Sequence, residues 1–127
     1  MVEKVSIVIP VYNGSNFLKE AIDSAVSQSH KNKEVIVVND GSNDGGKVEK
    51  IASSYKNSIK YYKKERGGVA SALNYGIKRM TGNYFAWLSH DDIYKTKKIE
   101  KQLAFIKLNG IEAVSYTHLT LPTSDLV

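Results

Sequence analysis

The run "VSIVIPV" at Val5–Val11 is almost continuously apolar and β-branched. A strand with one wet face alternates polar and apolar residues, so a run without alternation has to be covered on both faces. That requires a sheet with helices on each side. Phe17, Leu18, Ala21, Ile22, Ala25 and Val26 follow at helical spacing, with Ser15 or Asn16 available as the cap. The pattern then repeats. "EVIVVN" (Glu34–Asn39) predicts a second buried strand, Lys47–Tyr55 a more polar helix, and "IKYYK" (Ile59–Lys63) a third, shorter strand. Val69, Ala72, Leu73, Gly76, Ile77 and Met80 form a helical stripe, and "NYFAWLS" (Asn83–Ser89) reads as the fourth strand. A lysine-rich helix with Ile99, Leu103 and Ile106 on one side closes the series. Such alternation predicts an α/β fold: a doubly wound, mainly parallel sheet of Rossmann-like βα units with right-handed crossovers. Ligands of these sheets bind beyond the carboxyl ends of the strands. Those ends carry Tyr12 and Asn13, Asn39 and Asp40, and Ser89 to Asp92.

A chain of 127 residues, 42% hydrophobic and 24% charged, has the size and composition of one globular domain. The absence of cysteine excludes disulfides and thiolate metal sites. A net charge of +5 suits an anionic partner, but the lysines are dispersed. No arginine-rich tract or RNP-type motif points to nucleic acid. No stretch is long and apolar enough for a bilayer, and the N-terminus lacks the features of a secretory signal, so a cytoplasmic location is expected, with a peripheral position at the inner face of a membrane also compatible. The turn "PVYNGSN" has a single glycine and cannot be a G-x-G-x-x-G loop. G-x-x-x-x-G-K-[ST] is missing too, so hydride transfer and P-loop phosphate chemistry both lose their main support, and the lack of G-x-S-x-G weakens an α/β-hydrolase reading. The adjacent carboxylates Asp91 and Asp92 are the most demanding feature left. They repel one another and need a cation, donors or water.

Three stretches carry a resemblance: "SIVIPVYNGSNFLKEAIDSAVSQ" (Ser6–Gln28), "VIVVNDGSNDGG" (Val35–Gly46) and "ERGGVASALNYGIKRMTGNYFAWLSHDD" (Glu65–Asp92). In this order they resemble the nucleotide-sugar-binding half of the family-2 glycosyltransferases, which have the GT-A fold. The resemblance covers about Val5 to Val114 and implies a domain over residues 1–114. It places Pro10, Tyr12 and Asn13 at the nucleotide, Tyr12 by stacking on the base. It places Asp40 at the base edge. A carboxylate only accepts hydrogen bonds, so Asp40 suits the imino N–H of uracil, thymine or guanine and disfavours cytosine. Outside the resemblance, Asp40 in "NDGSNDGG" reads equally as a turn residue. Arg66, with Gly67 and Gly68, stands where members often have Asn-x-Gly, and its role at the nucleotide is open. Asn74 matches the family's N-x-G and faces either the sugar or the helix packing.

"SHDD" resembles the family's D-x-D motif, with Ser89 in place of the first aspartate. The resemblance makes Asp91, supported by Asp92, the ligand of a divalent cation, Mg²⁺ or Mn²⁺. It implies an inverting transfer from a UDP-, dTDP- or GDP-linked sugar to a carbohydrate or lipid-linked acceptor. The family's general base is not identifiable here, since Glu100, Glu112 and Asp125 are the only later acids. "SYTHLTLPTSDLV" (Ser115–Val127) has no clear period and does not look like the family's continuation, so residues 115–127 are expected to form an atypical, foreign or disordered tail. The domain is accordingly expected to be incomplete, inactive alone and prone to self-association. A non-catalytic nucleotide-binding module is the alternative reading.

Overall fold

The computed structural model describes residues 3–109. Its elements alternate in chain order: β1 (Val5–Val11), α1 (Ser15–Val26), β2 (Lys33–Asp40), α2 (Lys47–Ser53), β3 (Lys60–Lys64), α3 (Val69–Arg79), β4 (Tyr84–Trp87) and α4 (Lys98–Asn109). The four strands form one sheet in the order β3-β2-β1-β4. Every pairing is parallel.

Both faces of the central strands are covered, as the runs without alternation require. Val5, Ile7, Ile9 and Val11 of β1 pack in one cluster with Leu18 and Ile22 of α1, Val48 of α2 and Ile99 and Leu103 of α4. Val8 of β1 and Ile36 and Val38 of β2 turn the other way, onto Ala72 and Leu73 of α3. Three helices therefore lie on one face and α3 on the other, the doubly wound α/β arrangement.

The chain crosses from β3 at one edge to β4 at the opposite edge, so the connectivity reverses direction beside β1. This is the position at which open α/β sheets form a crevice at their carboxyl ends. Element ends differ from expectation by a residue or two. Helix α1 starts at Ser15 with Gly14 at the cap position and no side-chain cap from Ser15 or Asn16. Helix α2 ends at Ser53 rather than Tyr55. The expected boundary at residue 114 and the tail from Ser115 lie outside the described residues.

Candidate functional site

The parallel register sets Asp40, the last residue of β2, opposite Lys64, the last of β3. The chain after Asp40 must turn at once, and Gly41 allows it with a φ of +73°. A side chain there would meet the backbone nitrogen of Arg66 at 2.6 Å, so glycine lets the β3–α3 loop close onto β2. Four donors then reach the Asp40 carboxylate. Lys64 Nζ and the Gly67 amide, each at 3.0 Å, donate to Oδ1. The Gly68 amide at 2.8 Å and Arg66 at 3.2 Å donate to Oδ2. The side chain is only 3% exposed. Burial alone would raise this carboxyl, but the Lys64 ammonium and the two glycine amides outweigh it and hold the group ionised, below the usual carboxylate range.

Tyr12 leaves β1 beside Asp40. The guanidinium of Arg66 lies over its ring, 3.7 Å from the centroid. Pro10, Tyr12, Asp40, Arg66, Ser89 and His90 line a cleft of about 140 Å³ at the carboxyl ends of β1, β2 and β4. His90 enters this cleft because residue 14 is glycine. A Cβ on Gly14 would stand 2.0 Å from His90 Cδ2. The single glycine of "PVYNGSN" thus makes room for a side chain from the β4 loop.

Beyond β4 the carboxylates are held differently. Asp91 and Asp92 are both exposed. The Ser89 hydroxyl donates to Asp91 Oδ1 at 2.7 Å, and this bond holds the Asp91 carboxyl below its ordinary value. Among the described residues Asp92 accepts from the neighbouring Ile93 amide at 2.8 Å. Among the described residues no three His, Cys, Asp or Glu side chains group into a ready metal site. The donor set is two carboxylates open to solvent, which fits a hard cation whose remaining ligands are waters and substrate phosphates.

The family model for "Glycosyl transferase family 2" matches residues 6–120. The chain belongs to the family-2 glycosyltransferases. An uncharacterized glycosyltransferase of Rickettsia bellii is 59% identical over 113 residues, 88% of this chain and 16% of that protein. The teichuronic acid biosynthesis glycosyltransferase TuaG of Bacillus subtilis, itself described as putative, is 34% identical over 125 residues, 95% of this chain and 48% of its own length. Among solved structures, S. aureus TarS 1–349 in complex with UDP-GlcNAc superposes with a TM-score of 0.75 at 26% identity, covering 84% of this chain and 32% of that one. The chain therefore spans less than half the length of these proteins, and its architecture is of the GT-A type.

Within this glycosyltransferase domain the structure gathers Pro10, Tyr12, Asp40 and Arg66 around one cleft. It places three other expected residues elsewhere. Asn13, at a φ of +54°, is bonded twice to Asn43: its side-chain NH₂ donates to Asn43 Oδ1 at 2.7 Å and its Oδ1 accepts from the Asn43 backbone N–H at 2.9 Å. Gly68 contributes its amide to Asp40 rather than a surface to the cleft. Asn74 is half-buried in α3 and does not line the cleft. Glu100 sits on α4, where it accepts from Ser29 at 2.9 Å. The sequence reading missed Lys64, the principal cation on Asp40, and the role of His90 in the cleft wall. The run "KYYKK", with two tyrosines between three lysines, carried no sign that Lys64 would face a carboxylate. That depends on the β2–β3 register.

Among the described residues no helix is long and apolar enough to cross a membrane.

Proposed function

We propose that this chain is the donor-binding part of an enzyme that moves a sugar from a nucleoside diphosphate to an acceptor hydroxyl, with inversion at the anomeric carbon. The observation that carries the reading is the pairing of an ionised, pre-positioned acceptor, Asp40, with an aromatic face, Tyr12, at the carboxyl ends of the sheet. Asp40 would accept the imino N–H of a uracil, thymine or guanine ring stacked on Tyr12. The similarity to TarS, which was solved with UDP-GlcNAc, supports a uridine donor. Pro10 lines the cleft, and Gly68 acts through Asp40. Asp91, supported by Asp92, would hold a divalent cation, Mg²⁺ or Mn²⁺, whose charge offsets that of the leaving diphosphate. The likeness to TuaG, named for teichuronic acid biosynthesis, supports a carbohydrate or lipid-linked cell-wall acceptor.

In the transfer, the acceptor oxygen bonds to the anomeric carbon as the bond to the diphosphate oxygen breaks, and the hydroxyl proton passes to a general base. Glu100 is directed to Ser29 and away from the cleft, so the described residues supply donor binding and no base is assigned to them. The 127-residue chain alone is accordingly proposed to bind donor without measurable transfer. A thermal-shift panel of UDP, dTDP, GDP and CDP, each with and without Mn²⁺, tests the reading. Stabilisation by the first three and little by CDP is expected. Equal responses to UDP and CDP would remove the role given to Asp40.

A further inference from the structure

The cleft that borders Asp40 and Tyr12 is narrow, and Arg66 forms part of its wall. Ligand pockets commonly enclose about 300–1,000 Å³, against about 140 Å³ here. Arg66 lines this cleft, and it also lines the neighbouring shallow hollow with Gly41, Ser42, Lys63, Lys64 and Glu65. It is the partition between them. Its guanidinium is planar, stacks 3.7 Å from the Tyr12 centroid and donates an N–H to Asp40 Oδ2 at 3.2 Å. A flat group, stacked on that tyrosine and donating to that carboxylate, makes the same two contacts expected of the nucleobase.

We propose that Arg66 is a built-in stand-in for the base, holding the slot between Tyr12 and Asp40 when no donor is bound, and that the donor enters by displacing it. The inference rests on the donor-site reading above. The guanidinium gives the buried carboxylate a fourth donor. Displacement is feasible, because the Arg66 side chain is 54% exposed and Asp40 keeps Lys64, Gly67 and Gly68 when the guanidinium leaves. A conformation that blocks its own site lowers apparent affinity by the fraction of molecules so blocked. That factor applies equally to every base, so Arg66 sets how tightly donors bind while Asp40 sets which ones do.

The test is calorimetry with UDP, dTDP, GDP and CDP on the unmutated chain, Arg66→Ala and Arg66→Lys. Lysine keeps the charge but not the flat fork, which separates a vacated slot from a lost attraction to the diphosphate. Both variants should bind UDP about two- to fivefold tighter, the factor expected for an exposed cation–π contact. The ratio of UDP to CDP affinity should not change. Unchanged or weaker UDP binding by Arg66→Lys, with the unmutated chain binding normally, would overturn this proposal and leave the donor-site reading intact. If neither the unmutated chain nor the variants bound UDP, GDP or dTDP, the donor-site reading would fall and this inference with it.

Discussion

Strand β2 carries a buried carboxylate at each end, and the two are built alike. Glu34, at the amino end, is 6% exposed and takes Lys60 Nζ and the Ser6 hydroxyl, both at 2.6 Å, and the Thr81 amide at 2.5 Å. Asp40, at the carboxyl end, is 3% exposed and takes Lys64 and the glycine amides. Both are held below their usual range by partners that outweigh burial. Perturbed carboxylates of this kind are a common mark of functional sites, yet the same mark stands at both ends of one strand. What differs is the company. The partners of Glu34 tie β1, β3 and the α3–β4 turn together, whereas Asp40 borders a cleft with an aromatic wall. A lowered carboxyl shows that donors have converged, and only the surroundings show for what.

The largest expected effect separates the two ends by stability. Burial would raise the Glu34 carboxyl, but Lys60, Ser6 and Thr81 bring it down to about 2 from 4.5. At about 1.36 kcal/mol per unit, that shift is worth on the order of 3 kcal/mol. Its sign follows from a folded-state value below the unfolded one. The contribution is complete above about pH 4.5 and is lost as pH falls toward 2. Glu34→Gln should therefore lower stability in urea by up to about 3 kcal/mol at pH 7 and flatten its decline in acid. UDP affinity should stay within about twofold, a span of roughly 0.4 kcal/mol. A tenfold loss of binding would show that the amino end communicates with the site.

Next in size is Asp40→Ala. Losing a hydrogen bond to a charged group costs about 1.5–3 kcal/mol, which is roughly ten- to a hundredfold in UDP affinity. Calorimetry should find that loss even where the variant remains folded by circular dichroism. Undiminished affinity would make Asp40 a second Glu34, a carboxylate that only holds a loop.

Much of this arrangement is legible in the chain. Continuous apolar runs announce strands covered on both faces, and the stripe from Val69 to Met80 announces α3, because burial leaves a period in the sequence. Asp40 is legible at the end of one apolar run, and Asp91 in the turn beyond another, for the same reason. What the sequence does not carry is pairing at a distance. Glu34 and Thr81 are 47 positions apart, and Asn13 and Asn43 are 30 apart. The bonds of Glu34 follow from sheet register, and that of Asn13 from loop closure. Arg66 over Tyr12 is of that class too, a contact between two loops that neither announces.

Asp91 extends the comparison to an exposed carboxylate that, among the described residues, forms no ion pair with lysine or arginine. If it waits for a metal cation, Mn²⁺ and UDP together should stabilise the chain more than their separate effects combined. Binding at tenfold excess over Kd adds about 1.4 kcal/mol. Asp91→Asn should abolish that synergy in thermal shift while leaving the metal-free UDP response in place. The same synergy in both proteins would remove Asp91 from the cation.

The smallest expected effect concerns Asn13, which sits at the boundary between holding a loop and holding a ligand. The family resemblance places it at the nucleotide, but both ends of its amide are engaged by Asn43, and its backbone accepts a positive φ that asparagine tolerates. Asn13→Gly keeps that backbone conformation available and removes only the side chain. Exposed hydrogen bonds contribute little, so the loss of stability should be about 1 kcal/mol or less. UDP affinity should remain within about twofold, roughly 0.4 kcal/mol. That outcome would place Asn13 with Glu34, as a residue that keeps two turns in register so that Asp40 and Tyr12 meet the same ligand. A tenfold fall in affinity with stability unchanged would place it with Asp40 instead, and would mean that the Asn43 pair opens when the donor arrives.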